Sequence, residues 1–276
     1  MQKGFSLRNF FKKICPAQCQ NDSLMKLKFK FPNSRIRTFS QQLQTEISKY
    51  LEFSRSYQQS SPKIDPDQFN LLSLLPESAE LLKQAGHYLH DQRHLDFQLL
   101  PASEMGDNLS ATRPLENLIV LHQDQFMEMQ PSSNPWLPVV LAHELGHWFL
   151  HAPAFRRFGG QLDLFDKCQI GSTLTEISAL DNDAIDLLDQ QANCFAREWL
   201  LPEERLRTEL QQAGYYPPII YRQHHLSLMS FADYSLKLAE KIERALGLPV
   251  TYLSFRLQEL GLLLNHAQSQ PLKHTA

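Results

Sequence analysis

The stretch VVLAHELGHWFLHA, residues 139–152, decides the fold expected of this chain. It begins directly after Pro138, and before Pro153 it contains no helix breaker except Gly146. A run of this kind predicts one helix of about four turns. The other expected elements are placed relative to this helix.

The same stretch contains a histidine pair that is typical of a metal site, His143-Glu144-Leu145-Gly146-His147. Residues four apart lie one turn apart on the same helix face, so both imidazoles can converge on one Zn²⁺. Glu144, rotated round the helix, would face a water on the metal, take its proton and pass it to the leaving amine. The alternative is a chance match with a purely structural role.

A catalytic zinc needs a third protein ligand. The longer pattern that ends in a third histidine is absent, because Leu150 stands at the position of its glycine and Pro153 at the position of that histidine. The segment DNDAIDLLDQQANCFAREWLLP, residues 181–202, predicts a second helix. At about 100° per residue it has one apolar stripe, formed by Ile185, Leu188, Ala192, Phe195, Ala196 and Trp199.

Among the acids of this second helix, Asp189 falls at the margin of the apolar stripe. Asp183 points nearly opposite, and Asp186 and Glu198 lie well outside the stripe. A carboxylate at the border of a buried face is costly unless it is paired or bound to a metal. Asp189 is therefore the predicted third ligand, and the alternative is a buried salt bridge to an arginine.

Three further residues lie near this predicted site. Asn193 lies one turn beyond Asp189, where its amide carbonyl could orient a metal-bound imidazole; the alternative is a surface amide. His151, one turn beyond His147, is expected to have moved away from the metal and to pack or form a hydrogen bond. Cys194 is interpreted as a small core residue.

The rest of the chain predicts an α+β fold that is mostly helical. Residues 1–68 are interpreted as a poorly defined extension or linker with one helix over Phe39–Phe53, and residues 266–276 as a flexible tail. The compact domain is expected over residues 69–265. Its further elements are a helix over Ser78–His90, strands in LDFQLLPAS and ENLIVLH that form a small sheet, and two C-terminal helices in FADYSLKLAEKIERALG and TYLSFRLQELGLLL.

Composition and charge exclude several classes of protein. The formal net charge of -3 gives no reason to expect direct binding of nucleic acid. The N-terminus has no apolar core of the length that a signal peptide needs, and no apolar run approaches the roughly 18 residues of a membrane helix. The four cysteines form no CxxC pair. We therefore expect a cytoplasmic protein without a disulfide framework that does not enter the membrane.

Two of these motifs together resemble the ImmA/IrrE family of bacterial zinc metallopeptidases. LAHELGHWFLH is similar to the A-H-E-x-G-H-x-x-x-H helix of that family, and DQQANCFAREWLLP to its E-x-E-A-N-x-F-A helix. GDNLSATRPLENLIVLH and LPVTYLSFRLQELGLLL resemble the family's segments upstream and downstream, so that the likeness covers residues 70 to 265. It implies a minimal zincin-like domain with the small sheet packed on the HExxH helix and a helical C-terminal part.

Carried over by position, the resemblance implies that zinc is bound by His143, His147 and Asp189 and that Glu144 is the general base. The chain departs from the family where Asp189 replaces the usual glutamate and Gln191 replaces the second acid. The resemblance extends to thermolysin-like gluzincins, in which an acid braces a zinc histidine from the position of Asn193. Such enzymes often place a transition-state donor in the segment that here contains Tyr215, Tyr216, Tyr221, His224 and His225. Nothing in the sequence chooses among these five residues, and for each of them the alternative is a structural role.

The function implied is a zinc endopeptidase of narrow specificity whose protein substrate is a helix-turn-helix transcriptional repressor. Cleavage of that repressor would derepress its genes. The alternatives are a sensor or interaction module without hydrolysis, favoured by the replacement at Asp189 and opposed by the retained Glu144, and a toxin-antitoxin component. The sequence indicates no oligomeric state.

Overall fold

The computed structural model describes residues 33–57, 72, 75, 79–105, 109–127, 134–153, 156, 170–171, 182–221 and 229–265. Over these ranges the fold is α+β and mostly helical, as the sequence predicts. The helices are α1 (Asn33–Tyr57), α2 (Glu80–Arg93), α3 (Ala102–Met105), α4 (Gln123–Met127), α5 (Leu137–Leu150), α6 (Asn182–Leu200), α7 (Glu203–Gln212), α8 (Phe231–Leu246) and α9 (Val250–Glu259). The strands are β1 (Asp96–Leu100), β2 (Ser110–Arg113), β3 (Leu118–His122), β4 (Ile170–Gly171), β5 (Ile219–Tyr221) and β6 (Leu263–Asn265).

The larger sheet is mixed and has the strand order β1-β3-β2-β4. Strand β3 is buried along its whole length and pairs parallel with β1 and antiparallel with β2. β2 and β3 form a hairpin whose turn ends at Asn117, which adopts a left-handed φ of 53°. Asparagine tolerates that conformation better than most residues, because its short polar side chain forms local hydrogen bonds. The hairpin places β2 against helix α5.

Helix α5 begins at Leu137, one residue before the proline that the sequence analysis placed outside it. Pro138 fits there because the first turn of a helix has no intrahelical acceptor for its backbone N–H groups, so that a missing N–H costs nothing. The helix is buried on nearly all sides. Helix α6 packs along it through the described members of the predicted apolar stripe, Leu188, Ala192, Phe195, Ala196 and Trp199.

Helix α1 belongs to the main core, although it lies upstream of residue 69, where the sequence analysis placed the start of the compact domain. The helix predicted over Phe39–Phe53 extends over Asn33–Tyr57. The ring of Phe39 contacts Phe149 of α5 edge-on at 5.7 Å between centroids and lies 6.2 Å from Phe195 of α6. One face of α1 is buried, and it is formed by Ile36, Phe39, Leu43 and Ile47, which are spaced three or four residues apart. Their spacing shows that the helix has an apolar face, but it does not show which other helices that face contacts.

Packing of α1 also changes the environment of Glu198, which was predicted to lie outside the apolar stripe. Its side chain is buried and forms ion pairs with Arg37 of α1 at 3.1 Å and with Arg256 of α9 at 2.8 Å. The buried carboxylate of Glu198 is tolerated because both of its partners are arginine side chains that pair with its charge. Glu198 therefore belongs to the structural ion pairs of the core.

The C-terminal helix is shorter than predicted. The sequence indicated a helix through Leu264, whereas α9 ends at Glu259. Gly261 adopts a left-handed φ of 66°, which ends the helix. Residues Leu263–Asn265 then form β6, which pairs parallel with β5.

None of the helices in the described part of the chain combines the length and the apolar character that crossing a bilayer requires. The predictions made for residues 1–32, for the tail after residue 265, for His224 and His225, and for Cys15, Cys19 and Cys168 fall outside the described residues.

Candidate metal centre

Three side chains of the kinds that can bind a metal ion converge from the two central helices on one point. His143 and His147 come from α5 and Asp189 from α6, and their donor atoms all lie within 4.8 Å of one another. The two Nε2 atoms are 3.0 Å apart, and Asp189 Oδ1 lies 3.2 Å from Nε2 of His147. Two zinc bonds at a tetrahedral angle separate their ligand atoms by about 3.4 Å. The spacing is therefore close to that of neighbouring ligands around one small cation.

The orientation of His143 is set by Asn193. The Nδ1 atom of His143 lies 3.0 Å from Oδ1 of Asn193. An amide oxygen only accepts, so Nδ1 carries the proton and donates it to Asn193. In a neutral imidazole the other nitrogen then has a free lone pair. Nε2 of His143 accordingly presents a lone pair to His147 and Asp189, as a metal ligand must.

Burial keeps the histidines neutral. It lowers the pKa of His147 well below its ordinary value, with a further contribution from neighbouring His143. Burial also lowers the pKa of His143, although the charge of Asp189 and the hydrogen bond to Asn193 act to raise it. Neutral imidazole is the form that binds metals, so no proton has to leave these rings before a cation enters at neutral pH.

Asp189 supplies the negative charge of the site. Burial raises the pKa of its carboxyl group, and the nearby His143 and His151 oppose that shift. Among the residues that the structure describes, no donor forms a hydrogen bond with the buried Oδ1 atom, and no arginine pairs with the carboxylate. An unsatisfied buried carboxylate oxygen beside nitrogen lone pairs is costly, and a cation would remove that cost. Two imidazoles and one carboxylate fit a divalent metal with one coordination position left open.

Glu144 lies next to His143 on α5, and its carboxyl group is held by the sheet. Ser110 donates a hydrogen bond to Oε1 at 2.6 Å, and Thr112 donates one to Oε2 at 2.6 Å. Burial raises the pKa of Glu144 to about 8, although the two hydroxyl groups lower it. In the metal-free protein the carboxyl group therefore holds a proton at neutral pH. A cation nearby would favour its ionised form.

Ser110 and Thr112 were not identified from the sequence. Both lie on β2 two residues apart, so they point to the same face of the sheet. The signal that could have found them is the alternation of two hydroxyl residues with Ala111 just before the predicted strand ENLIVLH.

His151 and Gln191 complete the buried polar cluster. His151 is fully buried, with Nδ1 at 3.0 Å from Nδ1 of His147 and Nε2 at 3.1 Å from Oε1 of Gln191. His151 was expected to pack or to form a hydrogen bond, whereas Gln191 was noted only as a departure from the pattern of the resembled family. Cys194, one residue after Asn193, is a buried free thiol.

The tyrosines considered as transition-state donors have other surroundings. The hydroxyl group of Tyr221 donates to the backbone carbonyl of Met229. Tyr215 packs against the main core, and Tyr216 is 75% exposed. Within the described ranges, no hydrogen bond joins any of the three to His143, His147 or Asp189.

Comparison with known proteins gives no match to a protein-family model, to a curated protein or to a solved structure. The functional interpretation therefore depends on the geometry of the site and on the motifs of its two helices.

Proposed function

We propose that this protein is a zinc-dependent endopeptidase of narrow specificity built on a minimal zincin-like domain. The observation that carries the proposal is the convergence of His143, His147 and Asp189 at ligand spacing, with Glu144 adjacent on the same helix. Two histidines and one carboxylate form the kind of donor set that holds zinc at hydrolytic sites and leaves a position for water or substrate.

The residues of the chain have separate tasks in this reaction. Zinc, when bound, supplies a Lewis acid that polarises a carbonyl group and lowers the pKa of water. Glu144 accepts a proton from the attacking water and returns it to the leaving amine. Ser110 and Thr112 hold the Glu144 carboxyl group in place, and Asn193 fixes the ring of His143.

For the substrate we propose a helix-turn-helix transcriptional repressor in a bacterial cytoplasm. The support for this part is the resemblance of the two helix motifs to the ImmA/IrrE family. An unrestrained endopeptidase would destroy host proteins, so selectivity has to come from docking. Contacts remote from the scissile bond can supply the binding energy that aligns one peptide bond with the site.

A second candidate is a sensor or interaction module that uses the same fold without hydrolysis. The observation that favours it is the environment of Glu144, which is fully buried and has both carboxyl oxygens engaged by Ser110 and Thr112. A general base needs a lone pair that reaches the attacking water.

Cleavage assays distinguish the two candidates. The zinc-loaded protein is incubated with the helix-turn-helix regulator encoded nearest to its gene and, separately, with unfolded casein, and the products are mapped by mass spectrometry. A zinc-loaded Glu144→Gln variant is the control. We expect one cut in the regulator, little cleavage of casein, and none by the variant. Rapid cleavage of casein at many sites would contradict the narrow specificity, and no cleavage of either protein would favour the sensor.

A further inference from the structure

We propose that His151 and Gln191 form a hydrogen-bond relay that fixes the proton of His147 on Nδ1, so that Nε2 presents its lone pair to the metal. The inference rests on the proposed metal site and assigns His151 and Gln191 as positioning residues for one of its ligands. It is carried by two contacts within one buried cluster, of 3.0 Å between His147 and His151 and 3.1 Å between His151 and Gln191.

The relay begins at Gln191. Its side-chain oxygen lies 3.1 Å from Nε2 of His151. A carbonyl oxygen has lone pairs and no proton, so it can only accept. Nε2 of His151 therefore carries the proton of this hydrogen bond.

The next link is the contact between the two rings. A neutral imidazole has one donor nitrogen and one acceptor nitrogen, so protonation of Nε2 makes Nδ1 of His151 an acceptor. Its partner at 3.0 Å is Nδ1 of His147, which must therefore be the donor. Both rings are fully buried, and burial disfavours the doubly protonated form that would break this order.

The last step concerns the metal side of His147. With the proton on Nδ1, Nε2 is left with a lone pair directed at Nε2 of His143 and Oδ1 of Asp189. The opposite tautomer would place an N–H group 3.2 Å from the Asp189 carboxylate. That arrangement would form an internal hydrogen bond and would compete with a cation for both ligands.

Helix α6 thus acts on both histidines of α5. Asp189 lies among the donor atoms, Asn193 accepts from His143, and Gln191 acts on His147 through His151. The direct contact of Asn193 and the relayed contact of Gln191 have the same result, because each leaves an Nε2 lone pair facing the metal position. Partners of this kind fix ligand orientation, and their loss typically weakens metal affinity about 10-fold to 100-fold.

Zinc affinity of Gln191 variants tests the relay. Gln191→Met keeps the size of the side chain and removes the amide oxygen, while Gln190→Met makes the same change at the neighbouring exposed position. In competition titrations with a zinc chelator we expect Gln191→Met to bind about 10-fold to 100-fold more weakly than wild type, and Gln190→Met to bind as wild type does. Gln191→Glu, which keeps an acceptor oxygen, should restore the affinity. Equal affinity of the two methionine variants, or a Gln191→Glu protein as weak as Gln191→Met, would overturn the proposal.

A second measurement determines the tautomers of His147 and His151 directly, and it requires neither a bound metal nor enzymatic activity. Long-range ¹H–¹⁵N correlation spectra of the metal-free wild-type protein, with ¹⁵N-labelled histidine, show which ring nitrogen carries the proton. We expect Nδ1 for His147 and Nε2 for His151, with signals assigned through His147→Asn and His151→Asn variants. A proton on Nε2 of His147 would overturn the relay, even if Gln191→Met fails to fold. Failure of the wild-type protein to bind zinc would instead contradict the proposed function and leave this spectroscopic result standing.

Discussion

Gly146 of α5 lies directly against the backbone of Ala192 of α6. A Cβ atom at Gly146 would come within 2.9 Å of Cα and 3.0 Å of the carbonyl oxygen of Ala192. These are backbone atoms, so no flexible side chain can move aside. Ala192 follows Asp189 by three residues on the same helix, and the close approach therefore brings Asp189 towards the two histidines. This close approach of the two helices explains how Asp189, whose side chain is one methylene shorter than that of glutamate, comes close to the histidines.

The variant Gly146→Ala should force the two helices apart. We expect the metal-free protein to lose about 1 to 3 kcal/mol of unfolding free energy, as overpacked cores do, and zinc to bind more weakly. Urea denaturation and chelator competition measure the two effects. Gly86→Ala on α2 is the matched control, because the three atoms nearest to its Cβ would all belong to the side chain of Leu72. Zinc affinity that falls equally in both variants would argue against a specific role for the contact with Ala192.

The variant Asp189→Glu adds a methylene group to a ligand that already lies 3.2 Å from Nε2 of His147. With α6 held close by the contact of Gly146 and Ala192, the longer side chain should crowd the site and weaken zinc binding. A chelator competition titration measures this change. Binding tighter than that of the wild-type protein would show that the helix leaves room for glutamate.

The stability of the metal-free protein should depend on pH through Glu144. Burial raises the pKa of this carboxyl group from 4.5 to about 8, so the folded state holds a proton that the unfolded state releases. Stability should therefore fall as the pH rises from about 4.5 to about 8. Glu144→Gln lacks this dependence. We therefore compare the unfolding free energy of Glu144→Gln with that of the wild-type protein. The difference, variant minus wild type, should be more positive at pH 9 than at pH 5 by about a few kcal/mol. Urea denaturation in the presence of a chelator gives the values, and a difference that does not vary with pH would contradict the burial of an ionisable Glu144.

The variant Thr112→Val removes a hydroxyl group that donates to Glu144 and keeps the branched shape of the side chain. The hydrogen bond favours the ionised carboxylate, so its loss should raise the pKa of Glu144 further. At pH 9 the metal-free variant should lose about 1 to 3 kcal/mol of unfolding free energy, because a buried carboxylate oxygen is left unsatisfied. The same denaturation series tests this. A loss of equal size at pH 5 would indicate that Thr112 stabilises the fold independently of the charge on Glu144.

Local periodicity was sufficient to place the elements that carry the candidate site. The 3.6-residue repeat of α6 placed Asp189 at the margin of the apolar stripe and Asn193 one turn further on, and the structure has both residues facing α5. The strand around Ile119 and the helix containing His143 were equally clear, because a short apolar run identifies the strand and prolines mark the limits of both elements. These features depend on neighbours along the chain.

Features that depend on tertiary contacts did not follow from the sequence. Nothing near Phe39 indicates that its helix packs on Phe149, more than a hundred residues downstream. Likewise, the contact of His151 with Gln191 joins two helices across a separation that no local pattern encodes. The end of α9 was misplaced because Gly261 was read within an apolar run, whereas its left-handed conformation redirects the chain into β6.

The most direct measurement of the proposed metal centre is the zinc content of purified variants by native mass spectrometry. We expect about one zinc ion per chain in the wild-type protein, in Glu144→Gln and in Asp186→Ala, the last being a control acid on the same helix. Zinc should be lost in His143→Ala, His147→Ala and Asp189→Ala, because these three side chains supply the converging donor atoms. Full zinc content in Asp189→Ala together with its loss in Asp186→Ala would contradict the assignment of the third ligand, and a wild-type protein that binds no zinc would contradict the metal centre itself.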